Sequence, residues 1–285
     1  MMMFQSKYRL CELFGIPIFV DISFAILLLI FATSQASISG GIAWALALAV
    51  SVVLHELGHS LTARSFGYPT RDITISLLGG CASLIALPRK AWQEFATAIA
   101  GPAVSFALAA ASIFAIGTLG QEGSALALTW HLLTGSVGYM SADGLLLFGV
   151  GNEEIYACRK EVFWLVDLFL DFGCMNLMLG LFNLLPGFPM DGGRIFRSAM
   201  RAFMSRPKAT FVAMWVGRGF AILLGLRGLY RIVSGGSWGF VSILIAYMIW
   251  REGYREYQLA LQEERWSNWR QEDFNARVSP PPYDR

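Results

Sequence analysis

Charged side chains are scarce in this sequence: Asp, Glu, Lys and Arg make up 15% of its 285 residues, whereas 55% of the residues are hydrophobic. Ordinary soluble domains carry about a quarter charged residues. The charges are missing from runs long enough to cross a bilayer, which takes about 20 apolar residues per helix. The composition therefore excludes an ordinary soluble domain and predicts a polytopic protein of the lipid bilayer.

Basic clusters and paired cysteines are lacking as well. The net charge is only +2, and the basic residues are scattered between apolar runs, which argues against nucleic acid as a partner. The cysteines fall in four different segments without a C-x-x-C pair: Cys11, Cys81, Cys158 and Cys174. We therefore expect small buried apolar side chains here, and neither a disulfide framework nor a thiolate metal site.

What the sequence does contain is a series of about six apolar segments. We predict transmembrane helices over residues 16–34, 42–66, 91–119, 161–186 and 209–232, and a sixth that begins near Trp238 and continues beyond Trp250 as an amphipathic helix to about Trp269. Residues 1–250 then form a membrane-embedded core, and residues 251–285 form a cytoplasmic helix with a disordered tail. The first run also resembles a signal peptide, but it is long for one, and we interpret it as a retained span.

Two stretches depart from the helical pattern. Ile73, Ile75 and Leu77 alternate with polar residues before a glycine pair, which predicts a small re-entrant β-sheet or hairpin after the second span, with a plain surface hairpin as the alternative. Residues 120–160 are apolar in places but interrupted by Gly and Asp, and we predict an extracytoplasmic excursion there. The predicted fold class is thus an all-α polytopic membrane protein of about six transmembrane helices with a small β element.

The second span carries the motif His55-Glu56-x-x-His59 inside an otherwise apolar run. Residues four apart share one face of a helix, so the two imidazoles point at one spot, and the carboxylate lies beside them. Ionisable residues are costly in a bilayer, which makes a functional role the better interpretation than a buried structural histidine. The pattern predicts a hydrolytic zinc site with His55 and His59 as metal ligands.

A catalytic zinc ion takes three protein ligands and keeps one position open. Asp191 is our candidate for the third ligand, because it follows a helix break that Pro186 and Pro189 force and precedes two glycines. Its rivals are other residues with metal-binding side chains: His131, Asp143 and Asp72.

The same residues carry a family resemblance. The chain resembles the site-2 protease family of intramembrane zinc metalloproteases, in a compact form without an added regulatory domain, over residues 8 to about 250. The matching stretches are residues 15–18 (GIPI), 55–59 (HELGH), 100–102 (AGP) and 183–193 (NLLPGFPMDGG). The resemblance implies Asp191 as a ligand, and a β element that helps to present the substrate.

Applied to these residues, the resemblance implies an intramembrane zinc endopeptidase. Glu56 is then the general base that takes a proton from the zinc-activated water. Asn183 is a candidate for substrate positioning or oxyanion contact, with an interhelical hydrogen bond as the alternative. We expect a single-pass transmembrane protein or peptide as substrate, which must unwind before it is cut.

The basic residues also predict an orientation. Most of them fall in the segments that lie inside when both termini are cytoplasmic, as the positive-inside rule requires, and a prokaryotic inner membrane is the expected location. Arg218 lies in the middle third of the fifth predicted span, where an arginine needs a partner, and Asp167 or Asp171 could supply one.

Two other classes of function are weighed against the peptidase. Intramembrane His and Asp residues could form the transit site of a divalent-cation transporter, although Glu56 has no obvious place in one. A catalytically silent scaffold would have no need for all of His55, Glu56, His59 and Asp191.

Overall fold

The computed structural model describes residues 7–34, 38–76, 79–85, 88, 90–134, 138–142, 145–150, 153–235 and 239–278. The helices in these ranges are α1 (Ile22–Ser34), α2 (Ile38–Ser65), α3 (Ala91–Leu119), α4 (Ala125–Thr134), α5 (Phe163–Asn183), α6 (Asp191–Met200), α7 (Arg206–Val233) and α8 (Gly239–Val278). The strands are β1 (Lys7–Leu13), β2 (Ile16–Asp21), β3 (Thr70–Ser76), β4 (Gly79–Leu84), β5 (Gly120–Gly123), β6 (Gly138–Ala142), β7 (Leu145–Val150) and β8 (Glu153–Arg159). Asp143 and residues 279–285 of the predicted tail lie outside the described residues.

Four of the described helices are long and apolar enough to cross a membrane. They cover Gly40–Ser65, Ala91–Leu119, Lys160–Asn183 and Arg206–Val233, and correspond to the predicted second to fifth spans. The predicted first and sixth spans are not among them. α1 has only 13 residues, and α8 runs 40 residues, through the predicted boundary at residue 250, into a charged sequence.

The N-terminal part of the chain forms a sheet, of which the sequence interpretation missed strands β1 and β2. Its strand order is β1-β2-β3-β4, with β2 parallel to β3 and the other pairs antiparallel. The prediction of a helix from residue 16 is therefore wrong: residues 16–21 are strand β2, and the helix begins at Ile22. Pro17 has no amide hydrogen to give to a helix, and Ile16 and Ile18 alternate into the core at 2% and 0% exposure.

The predicted hairpin after the second span is present as β3 and β4. Its isoleucines belong to a core cluster that joins the sheet to the helices, comprising Ile16, Ile18, Phe24, Val52, Leu57, Ile73 and Ile75. The cluster ties the sheet directly to α2, the helix with the two histidines.

Residues 120–160 hold a second sheet, of order β5-β8-β7-β6 with antiparallel pairing throughout, together with α4. α4 has 10 residues, too few to cross a bilayer. Tyr156 anchors this layer, because its buried hydroxyl donates a hydrogen bond of 2.7 Å to the carbonyl oxygen of Ile116 in α3. The all-α prediction is thus corrected to a mostly helical protein with two four-stranded sheets.

The chain forms two compact units. The first contains both sheets and α1, α2, α4 and α5, with α3 from Ile99 onward; the second contains α6, α7 and α8, with the first turns of α3. In the second unit, Gly217 of α7 packs closely against Gly187. A methyl group on Gly217 would lie only 2.9 Å from the Cα of Gly187. Met190, Ala221, Ala246 and Ile249 form the apolar core of this unit.

Candidate metal centre

His55 and His59 lie one turn apart on α2, as their spacing predicts, and both are buried. Their Nε2 atoms are 3.2 Å from each other, and the rings meet edge to face at a centroid distance of 4.9 Å. Two nitrogens that bind one tetrahedral zinc ion at about 2.0–2.1 Å lie about 3.3–3.4 Å apart. The separation of the two imidazoles therefore fits a shared zinc ion.

Ser105 of α3 forms a hydrogen bond with the imidazole of His55. Its Oγ lies 2.9 Å from Nδ1 of His55, and the serine is fully buried. A proton on Nδ1 that is donated to Ser105 leaves the lone pair of Nε2 free for a metal. The sequence interpretation missed Ser105, although it stands four residues after Gly101 and so shares its face of α3.

Gly101 gives α3 its close approach to the histidines. A Cβ at this position would overlap Nε2 of His59 and lie 2.7 Å from Nε2 of His55. A similar approach occurs one turn away, where a Cβ on Gly58 of α2 would meet the carbonyl oxygen of Ala100 at 2.8 Å. Glycine at the centre of the AGP stretch therefore leaves the space that the two imidazoles occupy.

Glu56 lies on α2 with 8% of its surface exposed. Its side chain lies against the start of strand β4, where a Cβ on Gly80 would overlap Cγ of Glu56 and reach its Oε1 at 2.6 Å. Gly80 thus permits a close approach of the β4 backbone to the side chain of Glu56. The carboxylate is confined between its own helix and the edge of the N-terminal sheet.

Asp191 is the first residue of α6 and is 7% exposed. The preceding turn closes through hydrogen bonds from the amide of Met190 to the carbonyl of Gly187 and from the amide of Gly193 to the carbonyl of Met190. A Cβ on Gly192 or Gly193 would overlap backbone atoms of this turn, so the glycines allow α6 to start directly upon it.

The structure brings three of the predicted site residues together. One ligand atom each of His55, His59 and Asp191 lies within 4.8 Å of the others, and all three side chains are buried. Two imidazoles and one carboxylate are a donor set that zinc accepts, with a fourth position left for water or substrate.

The rival ligands have other surroundings. Asp72 accepts hydrogen bonds of 2.9 Å each from Nε of Arg71 and Oγ of Ser83. Burial alone would raise the pKa of Asp72, but these hydrogen bonds and the charge of Lys7 hold it below its usual value. His131 lies on α4, in the segment that also holds the second sheet.

Asn183 ends α5 and is half-buried. Its Nδ2 donates a hydrogen bond of 3.0 Å to the carbonyl oxygen of Leu179 in the same helix. Its role toward a substrate stays a prediction.

The guanidinium of Arg218 lies over the rings of Trp215 and Trp250, at 5.0 and 4.5 Å from their centroids.

Known proteins resemble this chain over most of its length. The profile of peptidase family M50 matches residues 43–226. The protein sll0528 of Synechocystis, whose name describes a zinc metalloprotease, is 34% identical over 86% of this chain and 58% of its own length. Zinc metalloprotease MJ0392 of Methanocaldococcus jannaschii is 29% identical over 93% of this chain and 65% of its own length. The chain thus spans roughly three fifths of the length of these two relatives.

Among solved structures, the site-2 protease from Methanocaldococcus jannaschii is similar. The two chains share 26% identity and superpose with a TM-score of 0.56 over 88% of this chain and 95% of the other.

Proposed function

Because this chain belongs to peptidase family M50, the site-2 protease family, we propose that it is an intramembrane zinc endopeptidase that hydrolyses peptide bonds within or next to transmembrane segments. It is an integral membrane protein of mostly helical fold, and zinc is its metal. One observation carries the proposal: two buried imidazoles on an apolar helix long enough to cross a bilayer lie within 4.8 Å of a buried carboxylate.

His55, His59 and Asp191 are the proposed zinc ligands, and the fit of the two Nε2 atoms to zinc geometry supports the first two. When bound, zinc polarises the carbonyl of the bond to be cut and brings the pKa of a water toward about 7. The remaining steps belong to side chains of the protein.

Glu56 is the proposed general base. It takes a proton from the water whose oxygen attacks the carbonyl carbon, and delivers a proton to the leaving nitrogen when the C–N bond breaks, so that an acid and an amine leave. Its burial beside Gly80 limits the directions in which its carboxylate can turn. Asn183 is proposed to donate a hydrogen bond to the oxygen of the attacked carbonyl through the second N–H of its amide, since the first donates to the carbonyl of Leu179.

The substrate is proposed to bind as a strand. A transmembrane helix keeps its carbonyl groups in internal hydrogen bonds, so it must unwind before attack. β4 ends the N-terminal sheet within the described residues and lies against Glu56, which suits the addition of an unwound segment at its free edge.

The topology is part of the proposal as well. We place α1 and the apolar start of α8 in the membrane, which gives about six spans, both termini in the cytoplasm and a prokaryotic inner membrane as location. The excess of basic residues in the segments assigned to the inside supports this orientation.

The substitution Glu56→Gln tests the mechanism. We expect the variant to keep zinc and to cut a single-pass model substrate more slowly by a factor of about 10² to 10⁴, the usual contribution of a positioned acid–base group. Glu264→Gln, on the exposed surface of α8, is the matched control. Cleavage by Glu56→Gln at the wild-type rate would refute the assignment, and zinc uptake into proteoliposomes without any cleavage would favour a transporter.

A further inference from the structure

A buried ion-pair network lies on α6, and the proposed chemistry makes no use of it. At its centre is Arg197, which is 3% exposed, two turns along the helix that Asp191 begins. A buried guanidinium is costly unless carboxylates compensate its charge.

Two carboxylates from distant parts of the chain meet this guanidinium. Arg197 donates from Nε to Glu94 in the first turn of α3, at 2.8 Å, and from a terminal nitrogen to Glu256 of α8, at 2.7 Å. Glu94 is itself 7% exposed and also accepts a hydrogen bond from Arg201, one turn further along α6. Arg197 therefore fixes α6 to two other helices at once.

The same guanidinium also reaches the turn before the helix. It lies 5.0 Å from the centre of the Phe188 ring, and Phe188 precedes Asp191 by three residues. Phe188 is 1% exposed, so the ring has little freedom to move. The segment on each side of Asp191 is thus tied to one side chain, although Arg197 itself is no ligand.

We infer that Arg197 is a positioning residue for the metal centre, and that Glu94 and Glu256 act through it. The network holds α6 so that the carboxylate of Asp191 is directed toward the metal before the metal binds. Since Glu256 lies on α8 beyond residue 250, the C-terminal helix takes part in setting zinc affinity. This inference rests on the proposed role of Asp191 as a ligand.

The zinc dissociation constant tests the inference without any substrate. It is measured on the full-length protein in detergent, by competition with a chromophoric chelator, for Arg197→Met, Arg197→Lys and Glu256→Gln. Loss of a group that orients a ligand typically weakens metal binding about 10- to 100-fold. We expect a loss in this range for Arg197→Met and a smaller loss for Arg197→Lys, which keeps the charge but loses the two-pronged geometry.

Two further comparisons separate positioning from general stability. Arg255 and Glu252 form an ion pair of 3.4 Å on α8, the helix that carries Glu256, and the side chain of Arg255 is 71% exposed. We expect Arg255→Met and Glu252→Gln to leave zinc affinity unchanged. If Glu256 acts through Arg197, the double variant Arg197→Met/Glu256→Gln binds zinc no more weakly than Arg197→Met alone.

The outcomes distinguish this inference from the proposed function. If Asp191→Asn weakens zinc binding while folded Arg197→Met and Glu256→Gln bind zinc like the wild type, the positioning role is wrong and the ligand assignment stands. If Asp191→Asn binds zinc with unchanged affinity, the ligand assignment and this inference both fail. Should Arg197→Met not fold, Arg197→Lys and Glu256→Gln decide by the same measurement.

Discussion

The substitution Gly101→Ala is a direct test of the metal centre, because it places one methyl group at the candidate position of the ion. That methyl group would overlap Nε2 of His59 and lie 2.7 Å from Nε2 of His55. A zinc ion would lie about 2.0–2.1 Å from each of these nitrogens. The methyl group and the ion therefore compete for nearly the same space.

The structure also indicates where the cost of this change falls. Alanine in place of glycine gains about 1 kcal/mol in a helix interior, whereas overpacking of a core costs about 1–3 kcal/mol. Here the atoms that clash are the ends of two side chains, which can rotate away while the backbone stays in place. We expect the fold to change in stability by no more than about 2 kcal/mol, and zinc affinity to fall more than about 100-fold, beyond what loss of an orienting partner alone costs.

The assay is zinc content after dialysis against a fixed free zinc concentration, together with a thermal unfolding curve of the metal-free protein. Gly117→Ala is the matched control, since it lies on the same helix and its added methyl group would meet only Cβ of Ala125, at 4.0 Å. We expect the control to bind zinc like the wild type. A folded Gly101→Ala variant with wild-type zinc affinity would show that the ion does not lie between the imidazoles and α3.

Three more predictions follow from the same contacts. Ser105→Ala removes the partner of Nδ1 of His55 and should weaken zinc binding about 10-fold or more in the chelator competition. Gly80→Ala displaces the side chain of Glu56, so kcat on a model substrate should fall while the zinc content is retained. Burial raises the pKa of Tyr156 from 10.0 to about 12. Its contribution to stability is therefore complete below pH 10 and lost as the pH rises through about 12. Tyr156→Phe should lack this part of the pH dependence in chemical unfolding and lose about 0.5–1.5 kcal/mol at neutral pH, with the hydrogen bond to Ile116.

The sequence alone was sufficient for the four long apolar helices and for the grouping of His55 and His59, since both follow from the period of one helix. The turn at Asp191 was also readable, because proline and glycine limit the backbone locally. Its grouping with the histidines is not a local property of the chain, and only the structure supplies it.

The sequence interpretation missed strands β1 and β2 and the whole of the second sheet. Strand β2 continues directly into an apolar helix, so the apolar run alone does not show where the strand ends and the helix begins. In residues 120–160 the strands are short, and one of their three pairings joins β5 to β8, which are far apart in the sequence. The pairing of Arg197 with Glu94 cannot be read from the sequence either, because the two residues are 103 positions apart.

The parallel pairing of β2 with β3 has a consequence for the depth of the reaction. The chain leaves the sheet at Asp21 and returns to it at Thr70, so the C-terminal end of α2 must arrive at the sheet. At about 1.5 Å per residue, His59 lies only about 9 Å from Ser65 at that end of the helix, whereas the hydrocarbon layer is about 30 Å thick. His59 is therefore nearer the end of α2 that meets the sheet than the middle of this helix. For the proposed endopeptidase, the two charged chain ends that cleavage creates would arise close to that end of the helix.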